Sequence, residues 1–239
     1  MTEMKQDILG IDTNAKTVKG SKFGYITGIA YLAPSVESGY NTCKHASEGC
    51  KSACLFTAGR GAMDSVKNAR IEKTLTFFRN KHVWLAKLDK EITKLAKKAK
   101  KIGKVVCVRL NGTSDLPWES ICFNDGLNIM EKHPTVQFYD YTKNHNRMFQ
   151  YINGDLPTNY HLTFSRSESN EDISLKVLSE GGNVAVVFRN KLPETWNGFR
   201  VIDGDESDLR FTDPKNVVVG LVEKGRAKKD ETGFVVEPE

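Results

Sequence analysis

Three of the chain's five cysteines, Cys43, Cys50 and Cys54, crowd into the stretch NTCKHASEGCKSACLFTAGRG, residues 41–61. Intervals of six and then three residues separate them. Thiolates bind soft metals, and loops that hold clusters space cysteines a few residues apart so that each sulfur can meet one corner. Three thiolates suit a [4Fe–4S] cluster that leaves one iron open to a small-molecule ligand. The same three could hold zinc with a fourth ligand from His45, Cys107, Cys122 or elsewhere. Structural zinc usually pairs CxxC knuckles, however, and the chain has no CxxC. The plain alternative is three unliganded thiols, but free cysteines usually scatter rather than cluster. Cys107 falls mid-strand at an apolar position and is expected in the core.

Other polar groups stand at the ends of predicted strands. Asn111, Ser114 and Asp115 lie in NGTSD, Lys143 in DYTKNHN, Ser165 and Arg166 in SRSES, and Asp203 in DGDESD. At one mouth they could hold a nucleotide-like or anionic ligand. Each has a local reading too. NGTSD with Pro117 is also a turn followed by a helix cap, and DGDESD lacks the full calcium-loop pattern and reads equally as a solvated turn. Gly59-Arg60-Gly61 precedes a predicted helix, where backbone amides could cradle an anion. No histidine sits in a Ser/His/Asp or Cys/His catalytic pattern.

The elements that must position these groups follow from hydrophobic patterning. Strands are predicted at 23–35, 104–110, 135–141, 160–165, 183–188, 199–204 and 216–222 as short apolar runs. Helices are predicted from Met63, from Lys81 to Gly103, and over 123–132, 146–152 and 172–180. Apolar strands alternating with helices imply parallel β structure. The expected fold is a single-domain partial or irregular (β/α) TIM-like barrel over residues 23–239, with the cysteine loop after the first strand and residues 1–22 as an N-terminal extension. A doubly wound open sheet is the alternative. Polar sets falling after strands favour the barrel, whose sites form at strand C-termini.

The 239 residues carry a formal net charge of +5. Eight lysines lie between residues 87 and 104 against Asp89 and Glu91. They read as the solvated face of an amphipathic helix, or else as a phosphate-tracking surface for nucleic acid. No apolar run approaches the roughly 18 residues of a membrane span, and the first residues lack an apolar signal core. A cytoplasmic location is therefore expected, where a disulfide framework does not persist.

The stretches YLAPSVESGYNTCKHASEGCKSACLFTAGRG, NARIEKTLTFF and VRLNGTSDLPWE together resemble the phage and plasmid gene product 88 family, over roughly residues 17 to 222. That resemblance implies a phage-type protein in the host cytoplasm and little chemistry. More distantly, the layout resembles radical S-adenosylmethionine enzymes, which have a partial α/β barrel with a three-cysteine loop after the first strand. That likeness implies a [4Fe–4S] cluster on Cys43, Cys50 and Cys54, with S-adenosylmethionine as cofactor. The departures are the cysteine intervals (three and two in those enzymes), Ala53 where an aromatic residue precedes the third cysteine, and LNGTSD in place of a GGE-like stretch. The alternative is a non-catalytic nucleic-acid- or protein-binding protein with a structural metal.

Overall fold

The computed structural model describes residues 6–11 and 15–238. Its strands are β1 (Leu9–Ile11), β2 (Tyr25–Ala30), β3 (Val105–Arg109), β4 (Gln137–Thr142), β5 (Tyr160–Ser165), β6 (Val184–Phe188), β7 (Thr195–Trp196), β8 (Phe199–Asp203), β9 (Val218–Val222) and β10 (Val235–Val236). Its helices are α1 (Ala15–Lys22), α2 (Glu48–Ser52), α3 (Asp64–Arg79), α4 (Lys81–Lys101), α5 (Ile129–Lys132), α6 (His145–Asn153) and α7 (Glu171–Ser179).

The strands form one mixed sheet in the order β1-β2-β3-β4-β5-β6-β9-β8-β7, with β10 against β6. Pairing from β2 through β8 is parallel, while β1 and β7 pair antiparallel at the two ends. The row does not close into a barrel: β1 and β7 are its ends. All seven predicted strands are present. The structure adds β1, which pairs Leu9 with Ala30, so described residues of the first 22 belong to the sheet. Residues 1–5 and 12–14 of that segment lie outside the described residues. The cysteine loop follows β2, the first parallel strand but the second in the chain.

Side chains alternate across each strand. Ile26, Val106, Val108, Phe138, Leu162, Phe164, Val184 and Val186 join one large apolar core with α4, α6 and α7. The helix α4 contributes Trp84, Leu85, Leu88, Ile92, Leu95 and Ala99 at three- and four-residue steps, the pattern that buries one helical stripe. Gly28 permits its close seating, because a Cβ there would lie 2.9 Å from Leu95 Cδ2. The opposite face carries Thr27, Cys107 and Tyr139. It meets Leu209 and Phe211 of a loop that crosses it.

Only Ile129–Lys132 of the expected helix at 123–132 is helical. A turn at Phe123–Gly126, with Gly126 at φ 84, and a bridge between Cys122 and Asn128 occupy the rest. The helix starts where Asn128 and Glu131 form a reciprocal capping box, which satisfies amides that a longer helix would have used internally.

Candidate functional site

The cysteine loop is built by threonines and one carboxylate. After β2 the chain turns back, with the Thr42 hydroxyl donating to Ala33 O at 2.7 Å and the Thr113 hydroxyl donating to Leu32 O at 2.5 Å. Ala33 N donates to Thr74 Oγ1 of α3. Asp115 N donates to Thr42 O at 2.8 Å, so NGTSD and the cysteine loop lie side by side. Gly112 fits this junction because a Cβ would come within 2.7 Å of Ala30 O. Cys50 sits on α2, whose N-cap Ser47 accepts from Cys50 N, and Cys54 follows one turn later. Glu168 clamps this helix: Oε2 accepts from Ser47 Oγ and Oε1 from Gly49 N, each at 2.8 Å. A Cβ on Gly49 would lie 2.3 Å from Thr232 Oγ1 and 2.8 Å from Phe234 Cβ, so only glycine lets α2 rest on the C-terminal segment.

The three thiols are partly buried and act on one another. Burial pushes the Cys54 thiol up to about 11, and the Cys50 and Cys43 thiols add to the rise. Burial also raises Cys43, against hydrogen bonds from the Ser35 amide and the Thr42 hydroxyl. Burial raises Cys50, with Lys143 opposing it. Two cations stand beside these neutral thiols. The Lys143 ammonium is held down by burial and drawn up by Cys50, Asp115 and Glu168. Its Nζ donates to Ser165 Oγ at 2.6 Å and to the carbonyls of Ser165 and Arg166. The Arg70 guanidinium lies 4.8 Å from the Tyr31 ring centroid and 5.5 Å from that of Phe56. Burial lowers it while Tyr31 and Cys54 raise it, and its buried Nη1 has no hydrogen-bond partner among the described residues. Neither cation forms a salt bridge among the described residues.

Beneath the loop lies a network in which Asp115 and Asn111, expected from the sequence, meet Arg147, Glu119 and Asp140, which were not. Arg147 donates Nε and Nη2 to the two oxygens of Glu119 at 2.6 and 2.9 Å, and Nη1 to Asp115 Oδ1 at 2.7 Å. The other oxygen of Asp115 accepts from Lys143 N at 2.8 Å. Asp115 thus ties together the cysteine loop, β4's exit and α6. Asp140 is fully buried and accepts from Asn111 N and Tyr160 OH.

Among the predicted site residues, Asp115, Lys143 and Ser165 gather near the thiols. Asn111 and Ser114 are nearby but committed internally. Asn111 Oδ1 accepts from Ser114 Oγ, Leu116 N and Trp118 Nε1, pinning the turn rather than facing a ligand. Arg166 is committed to Gly233 O, Phe234 O and Glu171, and so ties down the segment on which Cys50 packs. Asp203 is exposed and accepts from Asp205 N, a local turn with no contact to the thiols among the described residues. The Gly59–Gly61 stretch forms a 3-10 turn in which Gly61 N is bonded to Ala58 O. Glu168 was within reach of sequence reasoning, since it lies inside SRSES. Arg70 lies inside NARIEKTLTFF but was not singled out there, and Arg147 carried no signal, because an arginine on a helix ordinarily reads as surface.

Among the described residues no three His, Cys, Asp or Glu side chains converge as ligands of a single metal ion. Nor is any helix long and apolar enough to cross a membrane among these residues.

Fold and site together define a single-domain mixed α/β protein with three neighbouring thiols at the exit of its first parallel strand. The family model for gene product 88 matches residues 5–238, and the chain belongs to that family. No curated protein and no solved structure matches it.

Proposed function

We propose that this chain is an iron–sulfur protein in which Cys43, Cys50 and Cys54 hold a [4Fe–4S] cluster. The open iron would take a small-molecule ligand, with S-adenosylmethionine the leading candidate. The observation that carries this reading is the gathering of three neighbouring thiols beside two half-buried cations, Lys143 next to Cys50 and Arg70 next to Cys54, neither in a salt bridge among the described residues. A thiolate-ligated cluster brings negative charge that such cations would offset. The donor set fits in kind: thiolate sulfur is the ligand that iron–sulfur clusters use. The run of parallel strands β2 to β6 in chain order supports the likeness to a partial barrel, as does the loop's exit from the first of them.

When bound, such a cluster supplies one-electron reduction, and the protein supplies position and electrostatics. Glu168 and the Ser47 cap fix α2, and with it Cys50. Asp115 fixes the loop against α6. Lys143, held by Ser165, keeps a positive charge beside Cys50. Arg70 has a free donor beside Cys54, where it can serve a sulfur or an anionic ligand group.

The test is anaerobic purification with iron, sulfide and zinc analysis, followed by electron paramagnetic resonance of the reduced protein with and without S-adenosylmethionine. About four irons and four sulfides per chain are expected. Replacing Cys43, Cys50 or Cys54 with alanine should abolish them. A spectrum changed by S-adenosylmethionine places that ligand on the open iron. Zinc without iron overturns the reading.

A further inference from the structure

The lysine-rich face of α4 and the free end of the sheet form one feature. A groove of about 770 Å³ runs between β1 and α4. Its apolar lining is the half-buried Ile11 together with Leu9 and Leu95, which are only 6% and 1% exposed. Lys94, Lys97, Lys98 and Lys101 line it as well, all of them exposed. None of these four forms an ion pair among the described residues. The acids nearby are already engaged: Asp7 and Glu91 with Lys87, and Asp89 with His133.

Beside this groove β1 ends the sheet. It is held firmly from one side. Glu91 accepts from Ile8 N and Leu9 N at 2.8 to 3.1 Å, and Lys73 Nζ donates to Ile8 O at 3.1 Å. Leu9 N is thus turned from β2, so in an antiparallel ladder the Gly10–Ile29 pair exchanges the bonds. The carbonyl of Leu9 and both backbone groups of Ile11 then face away from β2. An edge of this kind is a template for another strand.

We infer that this edge and groove bind an extended segment of a partner protein, rich in alternating acidic and apolar residues, which adds to β1 as a further strand. The backbone would meet the Leu9 carbonyl and the Ile11 amide and carbonyl, the Leu9 amide being held by Glu91. Apolar side chains would enter between β1 and α4, and acidic ones would meet the lysines. This is β-augmentation, in which the ladder gives affinity and the pockets select side chains. Two other occupants fit less well. A second copy of this chain would bring lysines against lysines. A single-stranded nucleic acid would find no aromatic side chain lining the groove on which to stack.

The inference is independent of any metal at the cysteines. Its test is fluorescence anisotropy of the full chain with a labelled peptide of alternating valine and glutamate, the same peptide N-methylated on alternate amides, and a labelled oligothymidine. The expected result is saturable peptide binding that is weakened at least about tenfold in a K94E/K98E/K101E variant, in which three exposed charges are reversed. N-methylation should weaken it comparably, since it removes ladder donors without touching charge. Circular dichroism confirms that the variant is folded. Absence of saturable binding would overturn the inference. So would equal affinity for the methylated peptide, which would reduce the surface to a charge patch. Tighter binding of oligothymidine, lost in the same variant, would assign the lysines to nucleic acid instead.

Discussion

Replacing Arg147 by methionine probes the network under the cysteine loop directly. The arginine is 3% exposed. It faces Glu119 and Asp115, whose side chains are 7% and 11% exposed. At the 2.6 to 2.7 Å of these contacts, one pair of unit charges attracts by about 6 kcal/mol at an effective dielectric of 20. Desolvation offsets much of that, and breaking a buried pair by removing one partner costs about 3–5 kcal/mol. Methionine keeps most of the volume and removes all five hydrogen bonds that the guanidinium gives to Glu119, Asp115, Thr142 and Tyr160. R147M should therefore lose about 3–5 kcal/mol in urea denaturation at neutral pH, read from the midpoint at unchanged slope. Adding E119Q should restore about 1 kcal/mol or more, because a buried neutral amide costs less than a buried carboxylate. A loss under about 1 kcal/mol, or a double variant no better than the single, would refute the claim that Arg147 is there to compensate those charges.

Three further outcomes are expected. Glu168→Ala frees the Ser47 hydroxyl and the Gly49 amide, a local loss of about 1–3 kcal/mol per charged acceptor contact; hydrogen exchange of residues 47–54 should accelerate, and unchanged protection would show that another contact holds α2. Asp140 is raised to about 7 by burial, against the Asn111 amide, Arg109 and the Tyr160 hydroxyl. The folded state thus holds a proton that the unfolded chain releases near 3.8, so stability falls as pH rises from about 4 through 7. D140N should flatten that part of the stability profile, and an identical slope in the variant would contradict the assignment. In metal-free protein Cys54, at about 11, should alkylate with iodoacetamide at pH 8 about a hundredfold more slowly than a thiol at its ordinary 9; peptide mass spectrometry reads this, and labelling as fast as that of exposed Cys122 would show the thiol to be unburied.

The seven longer strands were legible because each is an apolar run bounded by polar residues. The helix α4 was legible because Trp84, Leu88, Leu95 and Ala99 repeat at helical steps. Three kinds of feature were not. Leu9–Ile11, Thr195–Trp196 and Val235–Val236 are too short to show a period, and only their partners make them strands. The placement of β9 between β6 and β8 depends on pairing that no local pattern encodes. Polar residues were read correctly as crowding the strand ends, yet their division of labour was hidden. Asn111 and Ser114 serve a turn, whereas Glu168, one residue type among many in SRSES, holds the cysteine helix. Burial decides such roles, and Arg147 became visible only once both of its carboxylates were seen to be buried with it.

The packing of α2 against residues 232–234 has a consequence for how the chain is made. Cys54 leaves the ribosome 180 residues before Phe234, yet Gly49 has its final neighbours only when Thr232 and Phe234 arrive. Val235 and Val236 must also pair with β6 to hold them there. During synthesis the segment around Cys43 can be anchored once Asp115 is made, whereas the helix that carries Cys50 waits for residues 232–236. A chain interrupted before residue 232 would carry Cys50 on a helix that lacks part of its seat.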